Sequence, residues 1–435
     1  MHVCVLGAGI VGLATAYQLR LAGHEVTVVD RATPGAGASG GNGSQLSYSY
    51  VQPLADPGIW RQLPKLLLSP DSPLKIRPQW DWRQWQWGLQ FLAACNSTTS
   101  RETTASLLTL AARSRQSFDN MLAREQLNCD FSATGKLVLY SDADSLANAK
   151  RQMLLQRAMG SQQEAVSSDR CVELEPALKH HHANISGAIY TPGECAADCQ
   201  KTCTALMQVL RSQGVRFLLG TSISSLIQRG KLITAVATSQ GHLEADRFVM
   251  ALGADSPRLA ARLGIHLPIY PLKGYSITVD VAGPPDAAPF VNVTDSARKV
   301  VFARIGSRLR VAGMAELTGY DTRIQLAQIE SLKASTQAMF PYSSRFEALH
   351  PWAGMRPATP TGLPVVGRHQ RGPDNLLFNT GHGALGFTLA FGSAEKIAAL
   401  INRPSPALSM RAPSTTSDGL RQGLMKASHK GTYRH

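Results

Sequence analysis

Short apolar runs and amphipathic stretches alternate along the chain from its first residues. Residues 2–6 form a compact apolar run, and residues 10–21 carry apolar side chains at helical spacing and end before Gly23. A second apolar run covers residues 25–29. Because a buried strand reads as a short apolar run and an amphipathic helix as a longer periodic one, this pattern predicts a strand, a helix and a second strand.

Further elements are predicted in the same way. Apolar strands are expected at residues 245–250 and 375–379, the latter leading into a helix over residues 390–400. Elsewhere the pattern predicts helices at 106–122 and 142–159, strands at 135–140 and 187–191, and a loop at 281–289. The chain has 435 residues, 44% of them hydrophobic, which suffices for two or three folded domains.

The turn after the first strand contains Gly7, Gly9 and Gly12 in the spacing of a dinucleotide-binding turn. Gly7 allows a tight turn, Gly9 lets the backbone approach a pyrophosphate, and Gly12 lets the helix lie close to the strand. The phosphates would then lie at the positive end of the helix. Asp30 follows the second strand, 18 residues after Gly12, where a carboxylate accepts hydrogen bonds from a ribose diol and repels a 2′-phosphate. The pattern therefore predicts a dinucleotide other than NADP.

Two further glycine turns favour FAD over a nicotinamide dinucleotide. The strand at 245–250 leads to Gly253, which would bring a second backbone turn to the cofactor. The strand at 375–379 is followed by a glycine-rich stretch, 380–388, and a helix. The positive end of that helix would stabilise the negative charge of a reduced flavin, and His382 is a candidate to assist it.

Composition narrows the class of partner. The net charge is +14, but residues 403–435 alone carry six basic residues and one acid in a stretch rich in Pro and Ser, which we expect to be disordered. Outside this tail the basic residues are scattered, so we expect no nucleic-acid partner. The seven cysteines are an odd number without metal-ligand spacing, which predicts reduced thiols, no metal site and a reducing compartment. No run of about 18 uninterrupted apolar residues occurs, so we expect no membrane span.

Four of the six tryptophans fall within residues 80–87. On a helix, Trp80 and Trp87 would share one face, and Trp82 and Trp85 would lie on the opposite one. Such a segment is either buried between two layers of protein or presents one face to lipid headgroups or a quinone.

Five stretches of the chain also match, in order, the landmarks of one known family. They are VCVLGAGIVGLATAYQLRLAGHEVTVVDR, IYPLKGYSITV, RLRVAGMAELTGY, WAGMRPATPTGLPVVGR and NTGHGALGFTLAFGSAEKI, and they extend over residues 1 to about 400. Together they resemble the bacterial D-amino-acid dehydrogenase family of the glycine/D-amino-acid oxidase superfamily. The resemblance implies an α/β fold with a discontinuous Rossmann-type FAD-binding domain (1–50, 194–265 and 350–402). It also implies an α+β substrate domain (51–193 and 266–349) with an antiparallel sheet over the flavin, followed by the basic tail (403–435).

The resemblance further assigns the residues that would bind the cofactor. A loop of small residues at 38–45 would thread past the pyrophosphate and the flavin, and a run of that composition suits close approach to a ligand. The backbone at Ile223 would touch the adenine. In full, the cofactor-binding set is Gly7, Gly9, Gly12, Asp30, Arg31, Ser39, Asn42, Gln45, Ile223, Gly253, Gly381, His382, Gly383, Gly386 and Thr388.

The substrate side follows from the chemistry of an amino acid. A guanidinium can hold the carboxylate by two parallel hydrogen bonds and so align Cα with flavin N5. Arg356 lies among small residues before the last strand and matches the family's carboxylate-binding position; the alternative is a structural arginine that pairs with a core acid. Tyr275, which we place at the start of a strand over the flavin, would bond the same carboxylate or be a core aromatic. Weaker candidates are Arg304, Tyr48 and Tyr50.

The sequence therefore predicts an FAD enzyme that oxidises a D-amino acid to a 2-oxo acid and ammonia. Hydride would pass from Cα to flavin N5, and the electrons would go to a quinone or another non-oxygen acceptor. A glycine-type, sarcosine-type or D-hydroxyproline-type enzyme stays open, as does a non-catalytic flavin-binding subunit. The expected location is cytoplasmic, with or without peripheral contact at the inner face of the bacterial membrane.

Overall fold

The N-terminal strand lies in the middle of a six-stranded sheet in the computed structural model, which describes residues 1–51, 53–60, 74–157 and 160–402. In spatial order its strands are β19 (Val365–Gly367), β20 (Leu376–Thr380), β13 (Arg247–Met250), β1 (His2–Leu6), β2 (Glu25–Val29) and β9 (Arg216–Leu218). Strand β1 pairs in parallel with β2 on one side and with β13 on the other, while β20 and β9 continue the parallel order outward. An antiparallel edge strand, β19, completes the sheet. This confirms the α/β, Rossmann-type prediction.

Helices pack against this sheet and bury their apolar faces on it. The described α-helices are α1 (Ile10–Leu21), α2 (Trp82–Ala94), α3 (Ser97–Glu125), α4 (Ala143–Arg157), α5 (Ser168–Leu174), α6 (Cys199–Ser212), α7 (Ser256–Ala261), α8 (Leu326–Met339) and α9 (Gly386–Asn402). The residues of α1, α3, α6 and α9 share one buried core with β1 and β2. By length and composition, residues 383–402 could cross a bilayer, but 61% of that stretch is buried inside the protein, as in a core helix.

Helix α3 is longer at its start than the pattern predicts. Its first residues are polar and carry no apolar periodicity, so the sequence indicated a start near residue 106. The helix begins at Ser97 because the side chain of Asn96 accepts a hydrogen bond from the backbone N–H of Thr99 at 2.9 Å. A cap of this kind supplies an acceptor for an otherwise unpaired N–H in the first turn.

A second, nine-stranded sheet is predominantly antiparallel, as the resemblance implies. Its strands run in the order β18 (Leu349–Ala358), β14 (Tyr270–Asp280), β17 (Arg308–Leu317), β16 (Val300–Ile305), β15 (Asn292–Asp295), β5 (Lys136–Tyr140), β7 (Gly187–Thr191) and β6 (Glu164–Val166), with β4 (Leu74–Ile76) beside β17. One face packs against α8 in a buried core. Because side chains alternate along a strand, the opposite face presents the other residues of β14, β16 and β17 to a cavity.

Two small sheets complete the described elements. Strands β10 (Ile223–Arg229), β11 (Leu232–Thr238) and β12 (Gly241–Glu244) form an antiparallel meander, and β3 (Gln45–Leu46) pairs with β8 (Cys195–Ala196). All seven cysteines are buried free thiols. Residues 1–402 form one compact unit. The predicted division into domains stays a prediction, and the tail at 403–435 lies outside the described residues.

Burial of the whole tryptophan cluster between protein layers is wrong. Trp87 is buried at 6% exposure and donates from Nε1 to the carbonyl of Ala358 at 2.8 Å. Trp82 and Trp85 on α2 are 71% and 53% exposed, and Trp80 is fully exposed. Trp80 does not share a face with Trp87, because α2 begins only at Trp82, where Asp81 caps it by accepting from the N–H of Arg83.

Candidate active site

A large cavity lies where the carboxyl ends of β1, β2, β13 and β20 meet, beneath the nine-stranded sheet. In open parallel sheets this edge is the usual position of ligands. The cavity has a volume of about 1650 Å³. This exceeds the roughly 300–1,000 Å³ of an ordinary small-molecule pocket, so it has room for a dinucleotide together with a second small molecule.

The first glycine turn forms a cradle that a side chain would fill. Gly7 has φ +113°, and a Cβ there would lie 2.5 Å from the carbonyl oxygen of Ala251 at the end of β13. A Cβ at Gly12 would overlap the carbonyl oxygen of Gly7, so α1 can approach the turn only without one. A Cβ at Gly9 would meet no atom nearer than Ser39 Oγ, at 3.5 Å, and Gly9 lines the cavity. The protein alone therefore has room for a side chain at Gly9, but this side chain would occupy the space of a phosphate at the helix N-terminus.

Asp30 and Arg31 lie at the end of β2, on the same edge. The Asp30 carboxylate accepts from the N–H of Ala8 at 2.7 Å and from the N–H of Ala32 at 2.9 Å. Since a carboxylate offers about four acceptor positions, it keeps capacity for ribose hydroxyls. Arg31 is exposed and pairs with Asp255 at 2.9 Å. Both residues line the cavity, at an end where Arg262 is also exposed.

The loop of small residues is held in place by its own side chains. Ser39 Oγ accepts from the N–H of Ile10 at 3.0 Å, in the first turn of α1. Asn42 accepts from the N–H of Ser44. Gln45 Nε2 donates to carbonyls of β15 and β16, which ties the loop to the nine-stranded sheet. The adjacent Gly41 is required because a Cβ there would overlap the Trp352 indole.

The other glycine turns approach the cavity from its remaining sides. Gly253, Ile223, Gly383, Gly386 and Thr388 all line it, and Thr388 Oγ1 accepts from the N–H of Ser47 at 3.1 Å. Gly381 is not among the lining residues; its φ of +82° turns the chain after β20.

His382 lines the cavity as a buried residue, with Nε2 3.1 Å from Ser393 Oγ. Burial lowers the pKa of His382 to about 3. The imidazole is therefore neutral at physiological pH. A neutral imidazole still offers one hydrogen-bond donor and one acceptor, so the part of His382 in the flavin site stays a prediction.

Taken as a set, the cradle at Gly9, the free acceptor capacity of Asp30 and the glycine turns after β13 and β20 fit FAD. The ADP portion would lie against Gly7, Gly9 and Asp30. The ring would lie under the nine-stranded sheet, near the first turn of α9. The individual cofactor-binding assignments stay predictions.

Arg356 projects from β18 toward the cavity and lies flat over Gly274 of β14. A Cβ at Gly274 would overlap the guanidinium, so this glycine makes room for it. Arg356 donates to the carbonyl of Met314 at 2.8 Å and more weakly to that of Gly313, at 3.4 Å. No carboxylate of the described residues pairs with it, which removes the alternative of a core ion pair in this part of the chain. Burial without an acid lowers the pKa of Arg356 to about 10, so it remains protonated.

Tyr275 lines the same cavity as Arg356, but its hydroxyl is directed to another partner. It lies in the middle of β14 rather than at its start, and it belongs to the core that packs on α8. Its hydroxyl donates to Glu316 at 2.8 Å. Because Gly274 faces Arg356, the next residue points to the opposite side of the sheet. In this arrangement the Tyr275 hydroxyl is engaged by Glu316, and the prediction that Tyr275 holds a substrate carboxylate stays a prediction.

The three weaker candidates differ in whether they line the cavity. Tyr50 does, whereas Tyr48 and Arg304 are not among the lining residues. Tyr48 is buried, and the Arg115 guanidinium lies 5.3 Å from its ring centroid. Arg304 lies over the ring of Phe290 at 4.1 Å.

Sequence reasoning missed two residues that line this cavity, Trp352 and Lys136. Trp352 packs over Gly354 and against Gly41, and Lys136 lies beside Ser47 and Tyr50. The available signal was a lysine within the apolar run of β5, because Lys is almost never fully buried unless it is paired.

Comparison with known proteins agrees with this geometry. The model of the family described as FAD dependent oxidoreductase (DAO) matches residues 2–400. D-amino acid dehydrogenase 2 of Ralstonia nicotianae is 46% identical over 421 residues, which cover 94% of this chain and 98% of that protein. D-amino acid dehydrogenase 2 of Pseudomonas aeruginosa is 42% identical over 410 residues, covering 94% and 96%.

Solved structures share the fold at lower identity. A glycine oxidase from Bacillus cereus has a TM-score of 0.70 at 19% identity and covers 94% of this chain and 97% of its own. An L-proline dehydrogenase from P. horikoshii has a TM-score of 0.70 at 19% identity, with coverage of 93% and 95%. At this identity the likeness shows the fold alone.

Proposed function

The chain belongs to the FAD dependent oxidoreductase family, and from this premise we propose that it is an FAD-dependent D-amino acid dehydrogenase. It oxidises the α carbon of a D-amino acid and passes the electrons to an acceptor other than oxygen. The imino acid that forms is hydrolysed to a 2-oxo acid and ammonia. The names and high coverage of the two bacterial relatives support this substrate and acceptor class.

The unpaired guanidinium of Arg356 is the observation that carries the proposal. It is a permanent cation in the cavity wall, without an acidic partner among the described residues. Two of its five N–H groups meet backbone carbonyls, so the others are free for a ligand. A carboxylate is the anion that matches the planar fork of a guanidinium.

The protein's part in the reaction is orientation. FAD, when bound, supplies the hydride acceptor. Arg356 fixes the carboxylate and thereby the direction of the Cα–H bond, while its own position is set by Gly274 and the carbonyl of Met314. A dedicated side-chain base is not required if the substrate amine is neutral when the Cα–H bond breaks, because the amine itself donates electron density.

A panel of D- and L-amino acids with a dye acceptor tests the function. Under anaerobic conditions, D-amino acids should bleach the flavin and yield the 2-oxo acid and ammonia, whereas the L-enantiomers should do neither. Bleaching by the L-enantiomers alone, or by no amino acid, would refute the proposal. Mixing the reduced enzyme with oxygen separates it from a glycine-type oxidase, since a dehydrogenase should reoxidise slowly.

We further propose that the enzyme meets the inner face of the cytoplasmic membrane through an apolar rim and there reduces a quinone. The cavity lining includes exposed apolar residues, which form the rim: Leu54, Ile76, Trp85 and Leu89 are 58%, 40%, 53% and 66% exposed. Trp82, at 71%, extends the rim. Exposed tryptophans at a cavity opening suit the bilayer interface and would give a lipid-soluble acceptor a route to the flavin.

The double variant Trp82→Gln, Trp85→Gln should bind anionic vesicles about tenfold or more weakly. Each substitution removes roughly 1 kcal/mol or more of the free energy gained when the apolar side chain leaves water. Reduction of a membrane quinone should fall in parallel, while reduction of a soluble dye stays normal. Vesicle flotation and quinone assays measure this, with and without truncation after Asn402. Leu326→Gln, 79% exposed on α8 and outside the cavity lining, is the matched control. Unchanged vesicle binding in the double variant would exclude the rim as an anchor.

A further inference from the structure

Lys136 is a buried cation in the cavity wall that the proposed reaction does not use. It is 4% exposed, and its Nζ donates to Ser47 Oγ at 2.9 Å and lies 4.5 Å from the ring centroid of Tyr50. No carboxylate within the described residues forms an ion pair with it. The nearby Glu194 carboxylate offsets part of the lysine's charge through space, and it also accepts from the N–H groups of Tyr48 and Ser49, both at 2.7 Å.

An unpaired buried ammonium is energetically costly unless an anion or dipole compensates it. Burial lowers the pKa of Lys136 to about 8, which leaves it protonated at neutral pH. Within the described residues Nζ donates to one hydroxyl, that of Ser47, although an ammonium has three donors. The other two donors point to an acceptor or an anion in the cavity.

The position of Lys136 indicates which group this is. Leu137 and Leu139 pack in the core on the α8 side of the sheet, so Lys136 points to the cavity face. Its partner Ser47 donates its backbone N–H to Thr388 Oγ1, in the first turn of α9. Because a helix N-terminus favours negative charge, the lysine and α9 both favour a negative group here, although Glu194 offsets part of the lysine's charge.

The substrate carboxylate held by Arg356 is too distant to be that group. Arg356 is on β18 and Lys136 on β5, with four strands between them. At about 4.8 Å for each strand spacing, the two positions are roughly 24 Å apart along the sheet. A small amino acid anchored at Arg356 does not bridge this distance, whereas the flavin ring, when bound beneath the sheet, would lie between the two positions.

We propose that Lys136 faces the edge of the flavin ring that becomes negative on reduction, and that its charge favours the reduced cofactor. Two electrons and one proton added to the ring leave one net negative charge. Lys136 and the N-terminus of α9 stabilise that charge and so make the flavin a better electron acceptor. The inference rests on FAD binding by the family and not on the class of substrate.

The flavin midpoint potential, measured by equilibrium reduction against a reference dye, tests this in the FAD-loaded protein without any amino acid. Lys136→Met and Lys136→Gln should shift the equilibrium about tenfold or more toward oxidised flavin, and tenfold corresponds to about 30 mV for a two-electron couple. Lys136→Arg should retain most of the potential, because it keeps the charge.

Lys273 offers a matched control. It is equally buried, at 1% exposure, lies 5.2 Å from the ring centroid of Tyr275 and donates to a backbone carbonyl, but it does not line the cavity. Lys273→Met should leave the potential unchanged. A wild-type potential in either neutral Lys136 variant overturns the proposal. Loss of FAD from both neutral variants also overturns it, since Lys136 would then serve binding rather than reduction. None of these outcomes bears on the substrate class.

Discussion

Replacing Gly9 with valine is expected to give a folded protein without bound FAD. The protein itself has room at this position, since a Cβ would lie 3.5 Å from its nearest neighbour, Ser39 Oγ. The branched side chain would project into the cavity, at the N-terminus of α1, and exclude the pyrophosphate from the helix dipole. The ratio of flavin to protein absorbance should fall close to zero, and activity with it, while the far-UV circular dichroism spectrum stays unchanged.

Two other glycines make this test specific. Gly12→Val should fail to fold, because its Cβ would overlap the carbonyl oxygen of Gly7. Gly193→Val should fold and retain FAD, because a Cβ there meets no atom within 4 Å and Gly193 is outside the cavity lining. Normal flavin content in Gly9→Val would show that the pyrophosphate does not lie at this turn.

Arg356→Lys is expected to weaken substrate binding without loss of FAD. Lysine keeps the positive charge but lacks the planar pair of donors that binds both carboxylate oxygens. Each charge-assisted hydrogen bond to the carboxylate contributes roughly 1.5–3 kcal/mol. The half-saturating concentration of a D-amino acid should rise about tenfold or more. Flavin reduction should also slow, because a single contact no longer aligns Cα. Arg356→Ala should do more damage, and stopped-flow reduction of the flavin measures both effects.

Tyr275→Phe is the control for this pair of variants. It removes a hydroxyl that donates to Glu316 on the far side of the same sheet, so it should cost stability while substrate affinity stays normal. Amines that lack a carboxylate should be little affected by either change at Arg356. An unchanged affinity and reduction rate in Arg356→Lys would make the arginine structural and remove the main residue-level support for an amino acid substrate.

The features that the sequence predicted well are local ones. Gly7, Gly9 and Gly12 lie on one turn between adjoining elements, and Asp30 directly follows the next strand. Gly253 and Gly383 belong to turns that come after their own strands. Because parallel strands end at the same edge of a sheet, recognising each strand and its turn was enough to bring these residues to one cavity.

The surroundings of each side chain depended on contacts between distant parts of the chain. Among the described residues Arg356 pairs with no acid, and Gly274 and the carbonyl of Met314 set its position. The Tyr275 hydroxyl bonds Glu316 because Tyr275 is one residue further along β14. Strand register and parity decide these facts, and a shift of one residue reverses them.

By itself, the sequence determined the fold class, the dinucleotide turn and the acid that follows it, since each depends on residues close together along the chain. Only the tertiary structure decided that Trp82 and Trp85 are exposed while Trp87 is buried, and that Lys136 lies beside Ser47 in the cavity. Periodicity shows that a helix has two faces or that a strand alternates, but not which face meets the core. That choice is made by packing against strands and helices hundreds of residues away, such as the contact between Trp87 and Ala358.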